Sequence, residues 1–210
     1  MNKNKNNYQD FVIKDGEFIG EFDAMYREFD NPWNQSSEQY FSSVSRRSAC
    51  HFIDKYQIKS LAEWGCGLGE TTNYIKENVS SELDILGVDI SQTAIQKASN
   101  SYPHINFRCD DIQNISQYNN YQCMFFSEIT WYLLEDKKID RIFNILSNEF
   151  SSGSLFMHQL SFYKNGIQKY GTDYFTNLDE FIKFCPFKLI AKLDCEYEDG
   201  IETLSLFEII

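Results

Sequence analysis

The sequence predicts an α/β fold in which a mostly parallel sheet is covered by helices and finished by an antiparallel hairpin. Three observations lead there. From Leu61 onward, short apolar runs alternate with helical patterns across short joints, the arrangement that parallel strands require. A glycine loop holding Gly65, Gly67 and Gly69 separates the first of those runs from the first helix. From Phe187 to Ile210 the alternation stops, and two strand-like runs meet across Asp199-Gly200, a dipeptide suited to tight hairpins.

Taken in order, residues 1–7 are rich in Asn and Lys and are expected to fray. Residues 8–60 read as helical with breaks, the clearest at Asn31-Pro32, with Val44, Cys50, Phe52 and Ile53 as inward positions. A strand is expected at 61–64, a helix near 69–79 and a strand at 83–90. Ser91 is placed to cap a helix whose Ala94, Ile95, Ala98 and Tyr102 share one face. Strands follow at 104–112 and 121–129, then a helix at 138–148 and a fifth strand at 153–160. No repeat or linker divides the chain. The expected organisation is a single domain, with 1–60 an N-terminal helical lid segment and 61–210 the core.

At 210 residues, 42% hydrophobic and 16% aromatic, the chain can bury a full-sized core. Its 19 basic residues stand against 31 acidic ones, a net charge of −12. Such a surface repels phosphate backbones and anionic headgroups, so neither nucleic acid nor a membrane is the expected partner. The six cysteines are scattered, with no CxxC pair and no spacing to histidine that would hold a metal, and are read as reduced, buried thiols. No apolar run suits a signal peptide or a membrane span, so a soluble, cytoplasmic protein is expected.

The chemistry starts at the glycine loop. Glycines between a strand and a helix permit a tight turn, and the helix start offers free N–H groups to an anionic ligand. Asp89 ends the second strand, 20 residues after Gly69, where an acid can accept hydrogen bonds from ribose hydroxyls. The loop lacks Gly-Lys-Ser/Thr, which excludes a P-loop, and its third glycine comes one residue early for a dinucleotide fingerprint.

Glu63-Trp-Gly-Cys-Gly-Leu-Gly69 resembles motif I of the class I S-adenosylmethionine-dependent methyltransferases. "GVDIS", with Asp89 and Ile90, is similar to their ribose-binding segment. "RCDDI", with Asp110, Asp111 and Ile112, is similar to the segment that holds the adenine. "FFSEITWYL", beginning near Ser127, is similar to their motif IV. The terminal hairpin is similar to the last two strands of that Rossmann-like, seven-stranded fold. The resemblance implies S-adenosylmethionine as cofactor, held by Glu63, Gly65, Gly67, Gly69, Asp89, Ile90, Asp110, Asp111, Ile112 and Ser127.

The N-terminal "DNPWNQSSEQYF" and the Ser127-Glu128-x-x-x-Tyr132-Leu133 run resemble the nodulation-factor N-methyltransferases. They also resemble the small methyltransferases of bacterial surface-polysaccharide pathways. An Asn-Pro-Pro-Tyr motif is absent at 127–130, which argues against methylation of adenine N6 or glutamine.

Open α/β sheets bind ligands at the carboxyl ends of their strands, and this selects Glu128, Tyr132 and His158 as catalytic candidates. An unperturbed His158 could accept a proton at neutral pH. Trp33, Tyr40 and Arg47 are candidates for a lid over the donor, with the arginine facing a carboxylate or phosphate. The segment 160–175, with Tyr163, Lys164, Lys169 and Tyr170, is a candidate acceptor wall on which a sugar could stack. The expected function is methyl transfer to an O or N atom of a small molecule, a sugar or phosphorylated sugar-linked intermediate of surface-polysaccharide synthesis. A donor-binding module without catalysis and an NAD-dependent oxidoreductase are the alternatives.

Overall fold

A computed structural model describes residues 7–14, 17–34, 42–164 and 170–210. Its centre is a seven-stranded sheet in the order β5-β4-β3-β6-β7-β9-β8. The strands are β3 (Ser60–Trp64), β4 (Asp84–Asp89), β5 (Asn106–Cys109), β6 (Cys123–Ser127), β7 (Leu155–Tyr163), β8 (Lys188–Glu196) and β9 (Gly200–Glu208). Strands β3 to β7 pair in parallel, and β9 runs antiparallel to both of its neighbours. The hairpin across Asp199-Gly200 therefore inserts its second strand beside β7 and leaves β8 at the edge.

Strand alternation sorts the side chains into two layers. Ala62, Trp64, Met124, Phe126, Phe156 and Leu160 join the core beneath α5 (Lys138–Glu149) and α6 (Leu178–Phe184). Leu61, Phe125, Met157, Leu204 and Leu206 join the core beneath α2 (Val44–Lys55) and α3 (Glu70–Asn78). Helix α4 (Gln92–Ser101) starts as expected, with Ser91 Oγ accepting from the Ala94 N–H at 3.1 Å.

The N-terminal part differs from the expected run of helices. A 3-10 turn at Tyr8–Phe11 leads into a two-stranded ribbon, β1 (Ile13–Lys14) with β2 (Glu17–Phe18), and then the short α1 (Phe22–Glu28). This unit is pinned to α4 at both ends of α1. Asp23 accepts from Ser91 Oγ (3.0 Å) and the Thr93 N–H (2.8 Å), while Lys97 Nζ donates to the carbonyl oxygens of Tyr26 (2.9 Å) and Phe29 (3.3 Å). Helix α2 is part of the sheet's covering layer, with Phe52 and Ile53 buried beside Leu61.

The fifth strand is displaced from its expected limits. β7 starts at Leu155 and continues to Tyr163, three residues past the expected end, because β9 pairs with it as far as Gly200. This shift moves the open end of the strand from His158 to Ser161–Tyr163. Among the described residues no helix is long and apolar enough to cross a membrane. All six cysteines are free, with Cys50, Cys66, Cys123 and Cys185 buried.

Candidate active site

The carboxyl ends of β3, β4 and β6 converge on the glycine loop. Gly65, Gly67 and Gly69 all take positive φ, at 81°, 52° and 79°. A Cβ on Gly65 would lie 2.1 Å from Ile129 Cγ2 and 3.0 Å from the Ser127 carbonyl oxygen, so the loop passes directly against the exit of β6. Asp89 braces the loop from β4: its Oδ2 accepts from the Gly67 N–H and its Oδ1 from the Ser91 N–H, each at 2.9 Å. Burial raises the Asp89 carboxyl above its ordinary range, and those N–H groups oppose the rise.

Glu63 is wholly buried below the loop. Its Oε2 accepts from Thr72 Oγ1 at 2.6 Å, while Oε1 has no hydrogen-bond partner among the described residues. Burial pushes its pKa up to about 7, against the Thr72 hydroxyl, the nearby Ser127 side chain and the charge of Arg46. A buried carboxylate oxygen without a donor is costly, and a cationic group at the loop would satisfy it. The left-handed cradle, the bracing acid and this orphan oxygen together fit a donor with an amino-acid end and a ribose.

Of the adenine-side candidates, Ile90 stands 54% exposed at the end of β4, an apolar face open to a planar ring. Asp110 turns inward. Its carboxylate accepts from the Asp111 N–H (2.9 Å), Asn114 Nδ2 (2.7 Å) and Tyr118 Oη (2.6 Å), with Arg108 nearby. Burial alone would raise its pKa, but these donors hold it below the ordinary carboxylate range. Asp111 caps the following 3-10 turn by accepting from the Gln113 N–H, and Ile112 packs against the core. The Asp110 carboxylate and the Asp111 N–H are thus engaged with each other.

Glu128 follows β6 in the left-handed region, φ 61°, an uncommon conformation for a residue with a side chain. Its carboxylate is held by the Ser161 N–H (3.0 Å) and Ser161 Oγ (2.6 Å), at the true end of β7. Burial raises its pKa, while Ser161 and the charge of Arg46 act against the rise. Tyr132 lies nearby, stacked on Phe18 at 5.8 Å and met edge-on by Phe22 at 5.0 Å. Its hydroxyl is pushed well above its ordinary pKa by burial and by Glu128.

Two expected residues are corrected. His158 is not at the strand ends: it sits in mid-strand, fully buried and stacked on Phe181 at 3.8 Å, with Nε2 2.7 Å from Thr130 Oγ1. Burial lowers its pKa to about 3, so it is a neutral core residue and not a proton acceptor facing ligand. Arg47 is exposed on α2, and the arginine whose charge acts on Glu63 and Glu128 is Arg46. Helical phase explains the exchange, because Arg46 shares its face with Ala49, Cys50 and Ile53.

Trp33 donates to Tyr26 Oη at 3.1 Å and joins an apolar cluster with Leu68 of the glycine loop and Tyr132. Phe18, Phe22 and Trp33 therefore pack in one cluster with Leu68 of the loop and Tyr132 beyond the exit of β6. Tyr40 lies outside the described residues, as does Lys169. Lys164 is paired with Glu196 and donates to the Tyr197 carbonyl oxygen, so it faces the hairpin rather than an acceptor. Tyr170 donates to Glu135 Oε1 at 3.1 Å. Ser127 closes the floor, buried, with Oγ on Gln159.

A parallel sheet with one antiparallel strand beside the last parallel one, and a glycine cradle braced by an acid, make up the fold of the class I S-adenosylmethionine-dependent methyltransferases. Residues 61–149 match the family described as methyltransferase domain. A protein of Invertebrate iridescent virus 6, provisionally named methyltransferase 235L, is 31% identical over 126 residues. That match takes in 58% of this chain and 46% of the viral protein, so the chain spans about half of that relative's length.

Among solved structures, the N-methyltransferase NodS from Bradyrhizobium japonicum WM9, in complex with S-adenosyl-L-homocysteine, superposes with a TM-score of 0.64. It is 15% identical, over 89% of this chain and 96% of that one. A structure concerned with conversion of a disulfide bond into a thioacetal group during echinomycin biosynthesis gives 0.66 at 14% identity, over 90% of both chains. At these identities the likenesses show the fold.

Proposed function

We propose that this protein transfers a methyl group from S-adenosylmethionine to an O or N atom of a small molecule. The observation that carries the proposal is the convergence of the glycine cradle, Glu63 and Asp89 with Glu128 at the carboxyl ends of adjacent strands. Bound there, the cofactor supplies an electrophilic methyl group on a sulfonium.

Each residue then has a physical task. Glu63 offers its unpartnered Oε1 to the amino group of the donor, and Arg46, on the same layer, suits its carboxylate. Asp89 keeps acceptor lone pairs for ribose hydroxyls while its other bonds hold the loop, and Ile90 covers the base. Residues 7–34 serve as the lid, excluding water from the loop through Trp33, Leu68 and Tyr132. Methyl transfer is an in-line displacement that rewards alignment, and Glu128, steadied by Ser161, takes the proton that leaves the acceptor.

A sugar or sugar-linked intermediate of surface-polysaccharide synthesis is the acceptor class favoured by the N-terminal and 127–133 resemblances. The exposed ring of Tyr163 beside Glu128 supports it. The pairing of Lys164 with Glu196 makes a phosphorylated form less favoured than a neutral or amino sugar. Calorimetric titration with S-adenosylmethionine, S-adenosylhomocysteine and NAD tests the donor. Micromolar binding of the first two without NAD is expected, followed by turnover in a panel of sugars and amino sugars. Binding of NAD alone would overturn the site assignment, and donor binding without turnover across broad panels would favour a non-catalytic module.

A further inference from the structure

Buried hydrogen bonds run in one direction across the face of the sheet that α2 covers. Ser127 Oγ donates to Gln159 Oε1 (3.3 Å), Gln159 Nε2 donates to Ser45 Oγ (2.9 Å), and Ser45 Oγ donates to Glu202 Oε1 (2.8 Å). Gln159 is 1% exposed and Ser45 0%. Every donor points towards Glu202, so the run ends on a carboxylate.

That carboxylate also accepts from the Ser43 hydroxyl and from the Val44 N–H at 2.9 Å. The Val44 N–H is one of the donors that the start of α2 leaves without a helical partner, and an acid there also favours the helix end electrostatically. Ser43 Oγ in turn caps the Arg46 N–H at 3.3 Å. Glu202 thus holds the three residues that precede Arg46. It lies opposite Ser161 in the β7–β9 register, and Ser161 holds Glu128. A strand outside the span matched to the methyltransferase family therefore reaches both sides of the site.

We propose that Glu202 is a positioning residue for donor binding: through the first turn of α2 it sets where the Arg46 guanidinium lies relative to Glu63, and Gln159 ties that setting to Ser127. The proposal rests on the reading of Glu63 to Gly69 as the donor cradle.

Titration calorimetry with S-adenosylhomocysteine on the full chain tests it as a double-mutant cycle. The variants are Glu202→Ala, Glu202→Gln, Ser45→Ala, Arg46→Ala and each of the first three combined with Arg46→Ala. Glu202→Ala is expected to weaken binding about tenfold, the scale of a lost helix cap acting on a charged contact. Glu202→Gln keeps an acceptor for the Val44 N–H and is expected to recover most of the affinity. In the Arg46→Ala background the Glu202 and Ser45 substitutions are expected to cost nothing further. A structural role alone would give losses that multiply.

Multiplying losses overturn the proposal, as does a folded Glu202→Ala protein that binds within twofold of the wild type while Arg46→Ala binds weakly. If Glu202→Ala does not fold, the Ser45→Ala cycle decides between the same two outcomes. A folded wild type that binds no S-adenosylhomocysteine would overturn the donor-site reading itself, and the proposal with it. A wild type that binds, with no coupling to Arg46, overturns the positioning role only.

Discussion

Replacing His158 by Phe should change how stability depends on pH, and the size of the change follows from two buried groups. Folded His158 is neutral, with a pKa near 3, whereas the unfolded residue titrates near its ordinary 6.5. As pH falls from 6.5 to 4.5, the unfolded chain's excess at this site grows from half a proton to nearly one. Stability falls as pH falls, by up to ~1.4 kcal/mol per pH unit.

Glu63 acts in the opposite sense. Its folded pKa is raised to about 7 from 4.5, so over the same window the folded chain holds the extra proton and stability rises as pH falls. The two slopes oppose each other in the wild type. Phe at 158 keeps the stack on Phe181, at 3.8 Å, and removes one slope. It also leaves Thr130 Oγ1 without its partner, a pH-independent cost of about 1 kcal/mol.

The variant should then gain ~2.3 kcal/mol relative to the wild type between pH 6.5 and 4.5. Glu63→Gln should lose a similar amount relative to the wild type over that range. Urea unfolding at pH 4.5, 5.5 and 6.5, followed by tryptophan fluorescence, measures both differences. Parallel pH curves for wild type and His158→Phe would refute the assignment of His158 as a neutral core residue.

Asp89→Ala should weaken S-adenosylhomocysteine binding by about 1–3 kcal/mol in calorimetry, since it removes a ribose acceptor and the brace on the Gly67 N–H. Gly65→Ala should abolish donor binding and lower the melting temperature, because its Cβ would meet Ile129 at 2.1 Å in a left-handed backbone. Glu128→Gln should lower kcat about 100-fold while leaving donor affinity unchanged. Activity of the wild type should rise with pH through a value above the ordinary glutamate range, because burial raises the Glu128 pKa and the ionised form is the acceptor. Asp23→Ala should cost about 1 kcal/mol in chemical denaturation through loss of the cap on α4.

Local rules made much of this protein legible. Strand-helix alternation, the Asp199-Gly200 turn and the cap at Ser91 each depend on residues close in the chain, and the structure contains all three. The cradle was legible for the same reason, since Gly65, Gly67, Gly69 and Asp89 are tied by turn chemistry and by a fixed strand-helix-strand spacing. Helical phase could also have distinguished Arg46 from Arg47, because Ala49, Cys50 and Ile53 mark the inward face.

The sequence by itself determined the order of the elements from Leu61 onward and which end of the sheet carries the glycine cradle. Tertiary structure alone decided which side chains stand at that end. β9 pairs with β7 out to Tyr163, and that pairing leaves His158 in the core and brings Ser161 to Glu128. A hairpin more than 150 residues away supplies the carboxylate that caps α2. The N-terminal ribbon reaches Leu68 and Tyr132 through an apolar cluster that no local pattern announces. The physical reason is that a strand's end and a side chain's burial are set by the partner beside it, and that partner comes from a distant part of the chain.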